Sequence, residues 1–184
     1  MHKNIFTYLI CFTLVFCGQN RGVAQNVNEL LSDTELLNKY ILEELNVLRK
    51  KKRAKPLENN PSLLEAAKDH ALFLTTSRQL THFQNRNKKK KTPDDRIQFY
   101  GGNFDVVGEN IQQINVDDIF DEVARDATPT LIYQALAKIL VENWRKSPPH
   151  YKNIIDKEFQ FTYTAIAINE NGRIFACQLF SGNY

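Results

Sequence analysis

Cysteine, glycine and proline are scarce in this 184-residue chain, which has 3 Cys, 7 Gly and 6 Pro. So little glycine and proline excludes a collagen-like rod and leaves no low-complexity linker, and 42% apolar residues exclude a disordered tail. An excess of charge of one sign is also missing: 24 basic residues against 21 acidic ones give a formal +3, so nothing global points to nucleic acid. Long hydrophobic runs are absent apart from Ile5 to Cys17, whose 13 residues fall short of the about 20 that a membrane-spanning helix needs. What remains is the composition of one globular domain, large enough to bury a core without metal or disulfide staples.

The apolar run reads as a targeting signal. Lys3 supplies a thin positive region before it, and Gly22-Val23-Ala24 offers the small residues a signal peptidase needs. The expected organisation is a signal peptide at 1–24, a lead-in at 25–35 and one domain at 36–184. Cleavage after Ala24 removes Lys3 and Arg21 and leaves a formal charge of +1. The mature chain is expected to be an exported, soluble monomer with no membrane span, either periplasmic or secreted. A lipid-modified Cys17 is the alternative, since Leu14 and Val15 suit it, but bulky Phe16 does not. Either way Cys11 is lost. Cleavage after Ala24 leaves Cys177 alone, so no internal disulfide can form. Cys177 lies in the apolar run Ile174 to Phe180 and reads as a buried small hydrophobe.

Four helix starts are legible. Ser32-Asp33-Thr34-Glu35 has the form of a capping box, followed by Leu37, Ile41, Leu45 and Leu48 at helical spacing as far as the basic residues near Arg49. Asn60-Pro61, Thr92-Pro93 and Thr128-Pro129 each set an N-cap before a proline whose missing N–H costs nothing in a first turn. The last of these helices carries Ile132, Leu136, Ile139, Leu140 and Trp144 and should stop at Ser147-Pro148-Pro149. Strands are predicted at 106–112, 161–168 and 174–180, the last two joined by Asn169-Glu170-Asn171-Gly172 as a hairpin. Both hairpin strands are apolar at nearly every position, which implies helices on both faces. The expected fold is an α/β/α sandwich with a small, mainly antiparallel sheet between helix layers.

Leu45-Asn46-Val47-Leu48-Arg49, Asn60-Pro61-Ser62-Leu63, Thr81-His82, Gly108-Glu109-Asn110-Ile111, Trp144 and Ser147-Pro148-Pro149-His150-Tyr151-Lys152-Asn153-Ile154 follow one another in an order that resembles the CAP superfamily. That superfamily holds the cysteine-rich secretory, antigen 5 and pathogenesis-related 1 proteins, and this chain is similar to its short, disulfide-free bacterial branch from about Leu36 to Gly182. The resemblance implies the same sandwich, and a cavity lined by two histidines and two glutamates. His82, Glu109 and His150 match three of those places. The fourth falls on Ser147, and Glu142, on another helix face, is a poor substitute.

Two imidazoles and a nearby carboxylate have the chemistry for a divalent ion: His82 and His150 as ligands of a weakly held zinc or similar cation, with Glu109 binding or orienting. A buried hydrogen-bond network of the same residues is the alternative. His70, on no matching motif, reads as a plain surface or packing residue. The function expected is binding rather than catalysis, of an unidentified ligand or partner, a lipid or an anionic envelope component among the candidates. A secreted, protease-like hydrolase using His150, Glu109 and Ser147 is the other reading. Against it, no Gly-x-Ser-x-Gly elbow exposes Ser147, which suits a turn.

Trp144 reads as core, Tyr100-Gly101-Gly102 as a cavity mouth or a simple turn, and the acidic residues between Asp117 and Asp126 as a solvated face. Two basic clusters, Arg49-Lys50-Lys51-Lys52-Arg53 with Lys55, and Arg86 with Lys88-Lys89-Lys90-Lys91, are either solvated ends of elements or one anion-binding surface. Few aromatics are interleaved with them, which disfavours single-stranded nucleic acid.

Overall fold

A computed structural model describes residues 31–124 and 127–184; the segment expected to be a signal peptide, Cys11, Cys17 and Asp126 lie outside them. Among the described residues, six α-helices and four strands follow in the order α1 (Thr34–Lys51), β1 (Glu58–Asn59), α2 (Leu64–Thr76), α3 (Pro93–Phe99), β2 (Val106–Asn115), α4 (Asp117–Glu122), α5 (Pro129–Lys146), α6 (Pro148–Ile155), β3 (Phe161–Ile168) and β4 (Arg173–Gly182). Short 3₁₀ turns at Pro61–Leu63 and Lys88–Lys90 precede α2 and α3.

The sheet order is β1-β3-β4-β2, with β1 parallel to β3 and the other pairs antiparallel. Register runs from Phe161↔Ser181 to Ile168↔Ile174 in the hairpin and from Val106↔Gly182 to Asn115↔Arg173 along β2. Every residue of the central strand β4 except Arg173 is buried, as its unbroken apolar run requires of a strand covered on both faces. One core joins Ile174, Ala176 and Phe180 to α1, α5 and α6. The other joins Phe175, Cys177 and Leu179 to α2 and α3. Side chains alternate across a strand, so the two helical layers lie on opposite faces of the sheet, and the α/β/α sandwich is the observed fold.

Local chemistry explains the differences in boundary. Asp33, not Ser32, caps α1, its carboxylate accepting from Leu36 N–H at 2.9 Å, and the helix starts one residue later than the capping-box reading. Thr92 and Asp95 form the capping box of α3. The Ser147-Pro148-Pro149 step does end α5, but its prolines also open α6. That helix is the same cap-and-proline start, hidden because it directly follows another helix. The acidic stretch includes α4, in which Asp118 accepts from Asn115 N–H at 2.8 Å. Tyr100-Gly101-Gly102 is a turn: Gly101 N–H bonds Gln98 O and Gly102 N–H bonds Ile97 O, with Gly101 at φ 87°, the Schellman ending of a helix. Trp144 is fully buried in the core.

Candidate functional site

The site is built along β2, one of the two edge strands. Alternation sends Glu109 toward the α2–α3 layer and Asn110 toward the α5–α6 layer. Gly108 lets the ring of Phe159 approach: a Cβ there would lie 2.6 Å from its Cζ. On one face, Glu109 Oε1 accepts from His82 Nδ1 at 2.8 Å, while Oε2 accepts from the buried Arg96 guanidinium and from Cys177 Sγ at 3.3 Å. On the other, Asn110 Nδ2 donates to the carbonyl of His150 at 3.2 Å, and Asn153 Nδ2 donates to Asn110 Oδ1 at 2.9 Å and to the carbonyl of Glu109 at 3.2 Å. The adjacent Glu-Asn pair therefore fixes the two histidine-bearing segments from opposite sides of one strand.

Glu109 is buried, which by itself pushes its carboxyl up. The bond from His82 and the charges of Arg96 and the neighbouring imidazoles outweigh that and hold it below its ordinary value. An ionised carboxylate only accepts hydrogen bonds, so Nδ1 of His82 is the donor to Glu109, and Nε2 is the ring nitrogen that this bond leaves over. Arg96 also donates from Nη1 to the carbonyl of His82 at 3.1 Å. His82, with its side chain 43% exposed, is thus held by both ring and backbone with Nε2 left over. Burial, and then the nearby His82, lower His150, which is half-buried and neutral near pH 7. Burial first and Glu109 second push the Cys177 thiol well up, so it stays protonated and serves as a donor in the core.

Three residues of this network escaped the sequence reading. Arg96 and Gln84 sit on no recognised motif, and neither has a local signal. Of the surface and packing readings of His70, packing holds, but its place beside Glu109 was not foreseen: it is fully buried with Nε2 3.7 Å from Glu109 Oε1. It donates from Nε2 to Thr81 O at 2.9 Å, and its Nδ1 accepts from Gln84 Nε2 at 3.3 Å, which ties the His82 loop to α2.

The hydrolase constellation is not assembled. Glu109 pairs with His82 and Arg96 rather than with His150, and Ser147 is the junction between α5 and α6, without a side-chain cap bond. Glu142 is on the outer face of α5, bonded to Arg145 at 2.7 Å. For a metal, the donor set is His82 Nε2 and His150, with Glu109 behind His82, and two nitrogen ligands would leave a site open, to be completed by water. It does not fit a closed structural site, since among the described residues no group of three or more His, Cys, Asp or Glu side chains is placed to hold an ion.

The basic clusters are corrected in three respects. Arg49 is fully buried and cannot meet an anion at the surface: Nε donates to Lys55 O at 2.7 Å, and the two terminal nitrogens donate to Ile154 O, Asp156 O and Phe159 O at 2.7–3.0 Å. Lys90 is engaged with Asp69 and the Tyr100 hydroxyl, both at 2.8 Å, and lies 4.4 Å from the centre of the Phe99 ring. The clusters also belong to opposite layers, one ending α1 and the other leading into α3, rather than forming one surface.

The cysteine-rich secretory protein (CAP) family model matches residues 42–180, and this chain belongs to that family. Solved structures share the fold. An outer surface protein from Borrelia burgdorferi is 22% identical, with a TM-score of 0.62 over 83% of this chain and 96% of its own. An extracellular protein from Bacillus anthracis with an SCP domain is 18% identical, with a TM-score of 0.60 over 80% of this chain and 40% of its own. A cysteine-rich secretory protein from Staphylococcus aureus is 16% identical, with a TM-score of 0.51 over 83% of this chain and 41% of its own. No curated protein matches the sequence significantly. No described helix is long and apolar enough to cross a membrane.

Proposed function

We propose that the chain is an exported CAP domain that binds a ligand or partner outside the cytoplasm, through the face bearing His82, Glu109 and His150, without turning it over. The observation that carries this reading is the way His82 is held: ring and backbone are both fixed by the Glu109–Arg96 pair, Nε2 is not used in doing so, and the side chain is 43% exposed. Leu80 and Phe83, 45% and 47% exposed, stand on either side of it in sequence. The face is amphipathic, suited to an apolar body that carries a metal or a polar group to the imidazoles. Relatives described as extracellular or outer-surface proteins support export, as does the signal-like segment at 1–24. A divalent ion held by His82 and His150 alone would be bound weakly.

Zinc titration followed by amide NMR and calorimetry tests this. Wild type should show weak, saturable binding centred on His82 and His150. His82→Asn keeps a donor near the Nδ1 position for Glu109 but lacks the outer nitrogen, so it should abolish binding, as should His150→Ala, while Lys89→Gln should not. Zinc binding undiminished in His82→Asn, or shifts centred elsewhere, would overturn the assignment.

A further inference from the structure

Two adjoining cavities, of about 450 and about 480 Å³, share Arg53, Lys55 and Pro56 at the end of α1. Both volumes lie in the range of small-ligand sites. The first is completed by Glu58, Lys157 and Phe161, the second by Lys50. This place is at the end of α1 and the β1–β3 edge of the sheet, opposite the β2 edge that carries Glu109, and it gathers cations from two stretches of sequence. Among the described residues no carboxylate forms an ion pair with Lys50, Arg53, Lys55 or Lys157.

The walls are held by the buried Arg49. Its guanidinium donates to the carbonyls of Lys55 and Phe159, which bracket the first cavity, and to Asp156 beside Lys157. No carboxylate accepts from it, and the nearby charge of Asp156 partly balances its own. Arg53 is the other sign of construction. Arg53 N–H bonds Lys50 O at 3.1 Å and Ala54 N–H bonds Arg49 O at 3.1 Å, the same Schellman ending that Gly101 makes after α3. Here the left-handed position, φ 55°, is held by arginine, the one non-glycine residue with positive φ among those described. Glycine would fit this backbone with less strain; the residue that stands here instead, on the lining of both cavities, is an arginine.

We infer that this cationic pair of cavities is a binding site for a phosphate ester, the phosphate among Arg53, Lys55 and Lys157 and the organic part against Pro56 and Phe161. Guanidinium and ammonium groups around a concave, partly apolar wall are the donors that recognise phosphate. Glu58, the single carboxylate on the lining, is available to accept from a hydroxyl of the organic part. A free small ester and a lipid headgroup offer the same chemistry.

Glycerol 3-phosphate, titrated at low salt and followed by amide NMR, should give saturable shifts at Glu58, Gln160 and Phe161, weaken as salt rises, and be matched by neither glycerol nor chloride. Arg53→Gly relieves the left-handed backbone, so its melting temperature should hold or rise while affinity falls about tenfold; Lys55→Gln/Lys157→Gln should lose at least as much. Sedimentation with phosphatidylglycerol vesicles separates the sources. Vesicle binding that Arg53→Gly weakens identifies a lipid headgroup, and ester binding without vesicle binding identifies a free ester. The proposal fails if glycerol shifts the same amides equally, if the ester does not saturate, or if both variants bind it as wild type does.

Discussion

At the scale of single residues, the centre of the candidate site is a carboxylate that would be a liability without its partners. Glu109, Arg96 and His70 are all buried, and removing one member of such a pair leaves an uncompensated charge. His70 makes this visible in pH. Burial, only partly offset by Glu109, lowers its pKa from 6.5 to about 4. The unfolded chain therefore binds this proton at a higher pH than the native one. His70 contributes stability that is fully present above pH 6.5 and is lost as pH falls through about 4, on the order of 3 kcal/mol in all. Glu109, also depressed, adds to the loss at the acid end. His70→Gln keeps a donor for Thr81 and removes the titration. Urea denaturation across this range should show wild type losing stability from pH 6.5 downward and His70→Gln following a flatter curve; equal slopes would show that His70 does not titrate between the two states. The sequence could name His82, Glu109 and His150 because a motif carries each. It could not name Arg96, Gln84 or the place of His70, since their roles arise only when the 77–92 loop folds back over α2.

At the scale of elements, the legible parts were those with local chemistry. Asn60-Pro61, Thr92-Pro93 and Thr128-Pro129 each open a helical segment where a cap and a proline stand together. The hairpin turn carries Gly172 at φ 72°. What escaped was context: β1, two residues long, is a strand only because Glu58 N–H bonds Gln160 O, and α6 hides behind the helix it follows. The same contrast separates two residues at element ends. Arg49, placed by composition in a surface cluster, donates to carbonyls at the end of α6 and beside β1 and β3. Ser147, placed in a hydrolase alternative, joins α5 to α6 without a side-chain cap. Arg49→Leu should cost about 3 kcal/mol or more, because buried carbonyls lose their donors, whereas Ser147→Ala should fall within about 0.5 kcal/mol of wild type. Thermal and urea unfolding of both variants measure this, and a large loss in Ser147→Ala would reveal a structural bond that the junction does not show.

At the scale of the whole molecule, the three layers divide the work. The sheet, buried on both faces, carries the Glu109-Asn110 pair; the α2–α3 layer orients His82, and the α5–α6 layer brings His150 across the edge strand. Leu31, the first described residue, is buried in the core beside α1, so a cut after Ala24 lies upstream of every residue seen to pack. Processing there would give a chain beginning at Gln25 with a formal charge of +1. Intact-mass measurement of protein recovered from the envelope fraction and the medium should find that species. A mass starting at Cys17 and carrying acyl chains would instead make the protein lipid-anchored. Of its eight additional residues, 17–24, Cys17 would bear the anchor and the other seven would separate it from Gln25. The His82 face would work within reach of a membrane surface, and the vesicle measurements would have to be repeated on the acylated form.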